Sequence, residues 1–193
     1  TNALYTPTVA ALQEKDIFIQ SIICDGKSGL LGVFPVVPIQ MCQFHQIKII
    51  MRHLTRKPKS PAAQALRALA LTLTETTQAA FEAALKRWYE QYAAFLNDRS
   101  VNEKTGHSHY THKRLRAAYN SLKRHLPWLF TCERFPDQGI PNTTNLLEGK
   151  FSEMKQFLRC HRGLKKESKL RFIKKLFRKG AGLKTPILSI RAL

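Results

Sequence analysis

The chain has 193 residues, 44% of them hydrophobic, and sets 32 Lys and Arg against 13 Asp and Glu, for a formal charge of +19. That length supports one sizeable domain or two small ones, and the charge selects polyanionic partners, nucleic acid first and an anionic membrane surface second. A bilayer span is excluded because the apolar stretch at residues 33–39 is short and contains Pro35 and Pro38, and the four cysteines (Cys24, Cys42, Cys132, Cys160) lack the spacing of a disulfide framework. That cysteine pattern leads to the expectation of a reducing compartment with free thiols, and nothing at the N-terminus resembles a charged region leading into an apolar run.

In chain order, residues 8–15 read as a short helix with Pro7 suited to its first turn. Residues 17–24 form a β-branched apolar run stopped by Asp25-Gly26, the pattern of a buried strand ending in a turn. A brief helix over 27–33, a second strand over 37–42 and a helix over 45–54 complete an α/β pattern in which the two strands are expected to be parallel. The proline-bearing stretch 55–61 reads as a linker.

Beyond it the expectation is helix to about residue 126. Leu66, Leu69 and Leu73 share one face of the first helix. Phe81, Leu85, Trp88, Tyr92 and Phe95 recur at helical spacing in the second. A polar, His-rich loop at 97–109 precedes a third helix with Leu115, Tyr119, Leu122 and Leu126, which Pro127 is expected to end. Residues 130–141 read as irregular. An amphipathic helix over 144–161 carries Leu147, Phe151, Met154 and Leu158, with Gly163 placed to end it. From Lys155 to Lys184 there are twelve Lys or Arg and one acid, Glu167, with Leu170, Phe172, Ile173, Leu176 and Phe177 interleaved, so a further basic amphipathic helix is expected.

Several residues could carry chemistry. Asp25 lies at the carboxyl end of a strand, where α/β sheets place ligand groups, although Asp-Gly is by itself a favoured turn dipeptide. Glu148 lies near the start of the amphipathic helix; its plain reading is a capping box with Asn145, and its functional reading is a metal-binding carboxylate. Cys42-Gln-Phe-His45 has the spacing of half a zinc site without a second half, so a buried thiol and a hydrogen-bonded His fit it better. His107, His109 and His112 read as solvated loop residues. Trp88 reads as core before it reads as a platform for an unpaired base.

Together, three stretches resemble the insertion-sequence transposases of the Mutator-like DDE group. They are the apolar strand ending in Asp25-Gly26 before Lys27-Ser-Gly-Leu-Leu; Gln40-Met-Cys42-Gln-Phe-His45, similar to that group's Cys-x-x-His signature; and Asn142-Thr-Thr-Asn-Leu-Leu-Glu148-Gly-Lys-Phe-Ser, with Lys155 and His161-Arg162-Gly163 downstream. The resemblance is to the C-terminal part of the catalytic region and covers almost the whole chain. It implies an α/β fold, mostly helical here: a partial RNase H-like core over 1–54, an all-helical insertion over 55–141, a core helix over 142–163 and a basic tail over 164–193. It makes Asp25 the second acid and Glu148 the third. The implied chemistry is strand cleavage and joining with a pair of Mg²⁺ or Mn²⁺ ions about 3.5–4 Å apart.

Implied partners are transposon ends and target DNA, with a homo-oligomer assembled on them, in the bacterial cytoplasm at the nucleoid. No membrane and no small-molecule substrate are implied. Backbone phosphates would meet Lys155, Arg159, Arg162, Lys165, Lys166, Lys174, Lys175, Arg178 and Lys179. The first acid of the pattern belongs on an earlier strand that residues 1–24 do not supply, so the chain is expected to be a truncated piece that does not cut DNA alone. Two other readings stand beside this one. One is a non-enzymatic basic nucleic-acid-binding module, with Asp25 and Glu148 as turn and cap; the other is a small zinc module on Cys42 and His45.

Overall fold

Two short parallel strands hold the N-terminal part together. In the computed structural model, which describes residues 5–26, 31, 34 and 36–180 (side chains to 176), β1 (Ile22–Cys24) pairs with β2 (Ile39–Met41). The register is Ile22 to Ile39, Ile23 to Gln40 and Cys24 to Met41, and all six residues are buried. Burial on both faces is what turns a parallel strand into an uninterrupted apolar run. The ladder is shorter than the run at 17–24 predicts. Among the described residues Ile17 and Phe18 have no partner strand, and both are exposed, Phe18 by 85%. The helix expected over 27–33 lies outside the described residues, apart from Leu31, which is in a turn.

Ahead of the strands, α1 (Tyr5–Gln13) buries Val9. It is followed by Asp16 in a left-handed conformation, which Asp tolerates better than most side chains. After β2, α2 (Gln43–Leu54) starts at once, with Cys42 as its N-cap. Then α3 (Pro61–Leu71) begins where the Ser60 side chain accepts from the Ala63 amide and Pro61 fills the first helical position. A 3-10 turn (Thr72–Thr74) leads to α4 (Gln78–Asn97), which Thr77 caps through the Ala80 amide. The fold is mostly helical α/β.

One apolar core runs through α2, α3, α4 and α5 (Lys113–Leu129). Ile50, Leu66, Leu73, Phe81, Leu122 and Leu129 are fully buried in it. Trp88 lies in it too, as its place in the apolar stripe predicts, and its indole N–H donates to the Ala62 carbonyl at 3.0 Å. Because α2 contributes to this core, a cut at residue 55 would divide a single packing unit.

Three expectations need correction. The polar stretch 97–109 is not a loop throughout: β3 (Arg99–Val101) and β4 (Ser108–Tyr110) form an antiparallel hairpin, so the insert is not all helix. The strands alternate no apolar face; the hairpin is held by its ladder and by the Arg99 and Arg116 guanidinium groups, 4.7 and 3.8 Å from the centre of the Tyr110 ring. Nor is His112 merely solvated, since its ring stacks on Phe95 with centroids 3.7 Å apart. Pro127 does not end α5, which continues to Leu129. Within the last turn a proline forfeits a single backbone bond, and the Pro127 carbonyl gains the Arg134 guanidinium as a donor.

The stretch expected to be irregular holds the one-turn α6 (Thr131–Arg134) and a 3-10 turn (Pro136–Gln138). Finally α7 (Asn145–Cys160) and the expected basic helix, α8 (Lys166–Gly180), lie together with the Phe157 and Phe172 rings stacked. No residue of α7 is fully buried; its face of Leu147, Phe151, Met154 and Leu158 is half-buried.

Candidate functional site

The strand-to-helix corners bring together residues far apart in the chain. Asp25 directly follows β1, and Gly26 after it has φ +78°. A Cβ at Gly26 would require the end of the Met41 side chain, whose Sδ would lie 2.9 Å away, to move, and the positive φ is what calls for glycine in this turn. Asp25 and Gly26 line a cavity of about 310 Å³ with His45, Lys48, Ile49 and Arg52, all four from α2. His45, Lys48 and Arg52 fall on one side of the helix because residues three and four apart are neighbours there.

Glu148 reaches the same side of α2 from the other end of the chain. Its Oε1 lies 3.4 Å from His45 Nε2, and its Oε2 lies 3.8 Å from Lys48 Nζ. His45 and Lys48 therefore line the cavity that Asp25 borders and also contact Glu148. The helix start differs from the expected capping box. Thr144, not Asn145, is the N-cap, and its side chain makes no cap bond. Its hydroxyl donates instead to Glu148 Oε1 at 3.3 Å and also lies 3.4 Å from Cys42 Sγ. Carrying one proton, that hydroxyl serves one acceptor at a time. The Thr144 amide adds a 3.3 Å bond to the same sulfur.

The Cys-x-x-His pair thus has two tasks at one junction. Cys42, fully buried at the N-cap of α2, seats Thr144, while His45, one turn on, meets Glu148. The two side chains turn to different partners. Among the described residues no group of three or more His, Cys, Asp or Glu is placed to hold a metal. Also among the described residues, no helix is long and apolar enough to cross a membrane.

Comparison with family models, with curated proteins and with solved structures finds no match.

Three buried glutamines, to which the sequence pattern assigns no role, hold this corner to α5 and α6. The Gln40 amide donates to the Leu129 and Met41 carbonyls, at 2.8 and 2.7 Å, and accepts from the Cys132 amide at 2.9 Å. Gln43 donates to the same Leu129 carbonyl and accepts from Asn142, whose carbonyl takes the Gln43 amide. Gln46 joins Ser121 and His125. The signal is present as Gln at every third position, 40, 43 and 46, inside an apolar stretch.

Of the basic residues expected to meet phosphates, Lys155 and Arg159 are exposed on α7 and Arg162 in the turn after it. Lys165 precedes α8, and Lys166, Lys174 and Lys175 are exposed along it. Arg178 and Lys179 are helical, with side chains outside the described ones.

Cys24 is buried beside Asp25, an environment that disfavours its thiolate. Burial pushes its thiol up to about 11, the charges of Asp25 and Cys42 add to this, and the Gly26 backbone hydrogen bond opposes it. At pH 8 iodoacetamide is expected to label exposed Cys160 first and Cys24 only on unfolding. Equal rates for the two in the folded protein, read by peptide mass, would contradict the burial described.

Proposed function

We propose that this chain carries part of an RNase H-like, DDE-type transposase core and takes part in cutting and joining DNA strands, with Asp25 and Glu148 as two of its acids. One observation carries the reading: two carboxylates far apart in the sequence come to the side of α2 that bears His45 and Lys48, Asp25 across a shared cavity and Glu148 in direct contact. Turn chemistry alone would explain Asp25, and helix capping alone would explain Glu148. Neither explains why both meet the same side of α2.

Within this reading His45, Lys48 and Thr144 orient the Glu148 carboxylate, and Cys42 fixes Thr144. Oxygen donors of this kind suit a hard divalent cation, since Mg²⁺ is commonly held by one or two carboxylates with phosphate oxygens and waters completing its shell. Asp25 and Glu148 fit one Mg²⁺ or Mn²⁺ by donor chemistry, and a further carboxylate is needed for a pair. When bound, such ions activate the attacking oxygen and stabilise the leaving one. The exposed bases of α7 and α8 would position backbone phosphates of transposon ends and target, in a homo-oligomer at the bacterial nucleoid.

A second reading is favoured by the same contacts. With Lys48 and His45 beside it, Glu148 is already charge-paired, as a structural carboxylate in a DNA-binding module without catalysis would be.

The test is strand cleavage and joining in Mg²⁺ or Mn²⁺ by the polypeptide as its full reading frame encodes it. Activity that falls to background in both Asp25→Asn and Glu148→Gln is the expected result. Full activity in both variants would remove these acids from the chemistry, and a wild type that binds but never cuts would leave the binding module.

A further inference from the structure

A second, larger cavity lies at the far end of α2, away from the carboxylates. It is an open cleft of about 600 Å³ between the 55–60 linker, β4 and the first turn of α5. Lys57, Lys59, Lys113 and Arg114 line it together with His53 and His109, and no Asp or Glu does. All four cations are exposed, and among the described residues none of them is paired with a carboxylate. Arg114 is fixed in place, since its guanidinium donates to the Arg52 carbonyl at 2.8 Å.

Two helix starts also open onto this cleft. Ser60 caps α3, and His112, the N-cap of α5, makes no side-chain cap bond. Their amide ends add positive potential to that of the side chains. Burial, followed by the charges of Arg114 and Arg52, holds His53 below the usual imidazole range. Four like charges without a counter-charge repel one another, a cost that a bound polyanion would offset.

We infer that this cleft binds the phosphodiester backbone of duplex DNA. An open trough lined by several cations suits a run of phosphates better than a single small anion. None of the large exposed apolar side chains lines it, so nothing there would enter a lipid surface. The cleft supplies binding only and does not depend on Asp25 and Glu148 acting in catalysis. If they do, the eight residues from His45 to His53 put it about 12 Å further along α2, three to four base pairs along a duplex.

The experiment is fluorescence anisotropy of a labelled duplex against salt. It compares wild type, the quartet Lys57→Ala, Lys59→Ala, Lys113→Ala and Arg114→Ala, and the linker pair Lys57→Glu, Lys59→Glu, which leaves the helices untouched. Each phosphate that the protein ceases to neutralise takes about 0.9 from the log–log salt slope, so the quartet should flatten it by about 2 to 4 and the linker pair by about 1 to 2. A control quartet with the same loss of charge elsewhere, Lys86→Ala, Arg87→Ala, Lys123→Ala and Arg124→Ala, should leave the slope near wild type. Thermal melts identify any variant that has lost its fold, and the linker pair then decides. A slope unchanged in the linker pair, or flattened as much by the control, overturns the inference. So does a loss of binding to duplex RNA with none to DNA.

Discussion

Gln40→Leu is expected to destabilise the protein by about 2–4 kcal/mol, although leucine is close in volume and more apolar. Gln40 lies fully buried in β2, and its side chain bonds two segments far away in sequence. The Leu129 carbonyl would keep Gln43 as a donor, so that loss is partly covered. The Cys132 amide would lose its acceptor, and a buried unmade amide bond costs about 1–3 kcal/mol by itself. Urea unfolding would measure the change. A cost below about 1 kcal/mol would mean that the α5–α6 corner does not need β2 to hold it.

Phe81→Ala should cost more, about 3–5 kcal/mol, the range for removing a buried aromatic ring. Phe81 has no exposure and meets the Phe130 ring with centroids 5.8 Å apart, so truncation opens a void between α4 and the end of α5. Phe81→Leu keeps most of the volume and should recover more than half of the loss. A thermal melt that hardly moves would show that the core between α3, α4 and α5 collapses around the gap.

The periodic parts of this fold are plain in the sequence. The stripe from Phe81 to Phe95 is α4, the run closed by Asp25-Gly26 contains β1, and the interleaved bases from Lys166 onward are α8. What escapes the sequence depends on partners supplied by tertiary structure. Glu148 satisfies the spacing of a capping box with Asn145, but the Cys42 sulfur draws Thr144 into the N-cap position and leaves the carboxylate to α2. The hairpin at Arg99 and Tyr110 has no apolar alternation to announce it, since guanidinium groups over a tyrosine ring do that packing. Lys57 and Lys59 read as linker because nothing nearby in sequence tells that Lys113 and Arg114 come to face them. The place of Asp25 at the end of a strand is legible locally, whereas the cavity it shares with His45, and the contact of His45 with Glu148, become visible only in three dimensions.

Because α2 spans both cavities without a break, its length also sets their relative phase. Each residue turns an α-helix by about 100°, so one residue inserted between Lys48 and Arg52 would swing everything beyond it about a quarter of the way round the axis. His53 and the Arg52 carbonyl that steadies Arg114 would then face elsewhere, while His45 stayed beside Glu148. The helix works as a keyed shaft, tolerant of new side chains on its wet side and intolerant of any change in count.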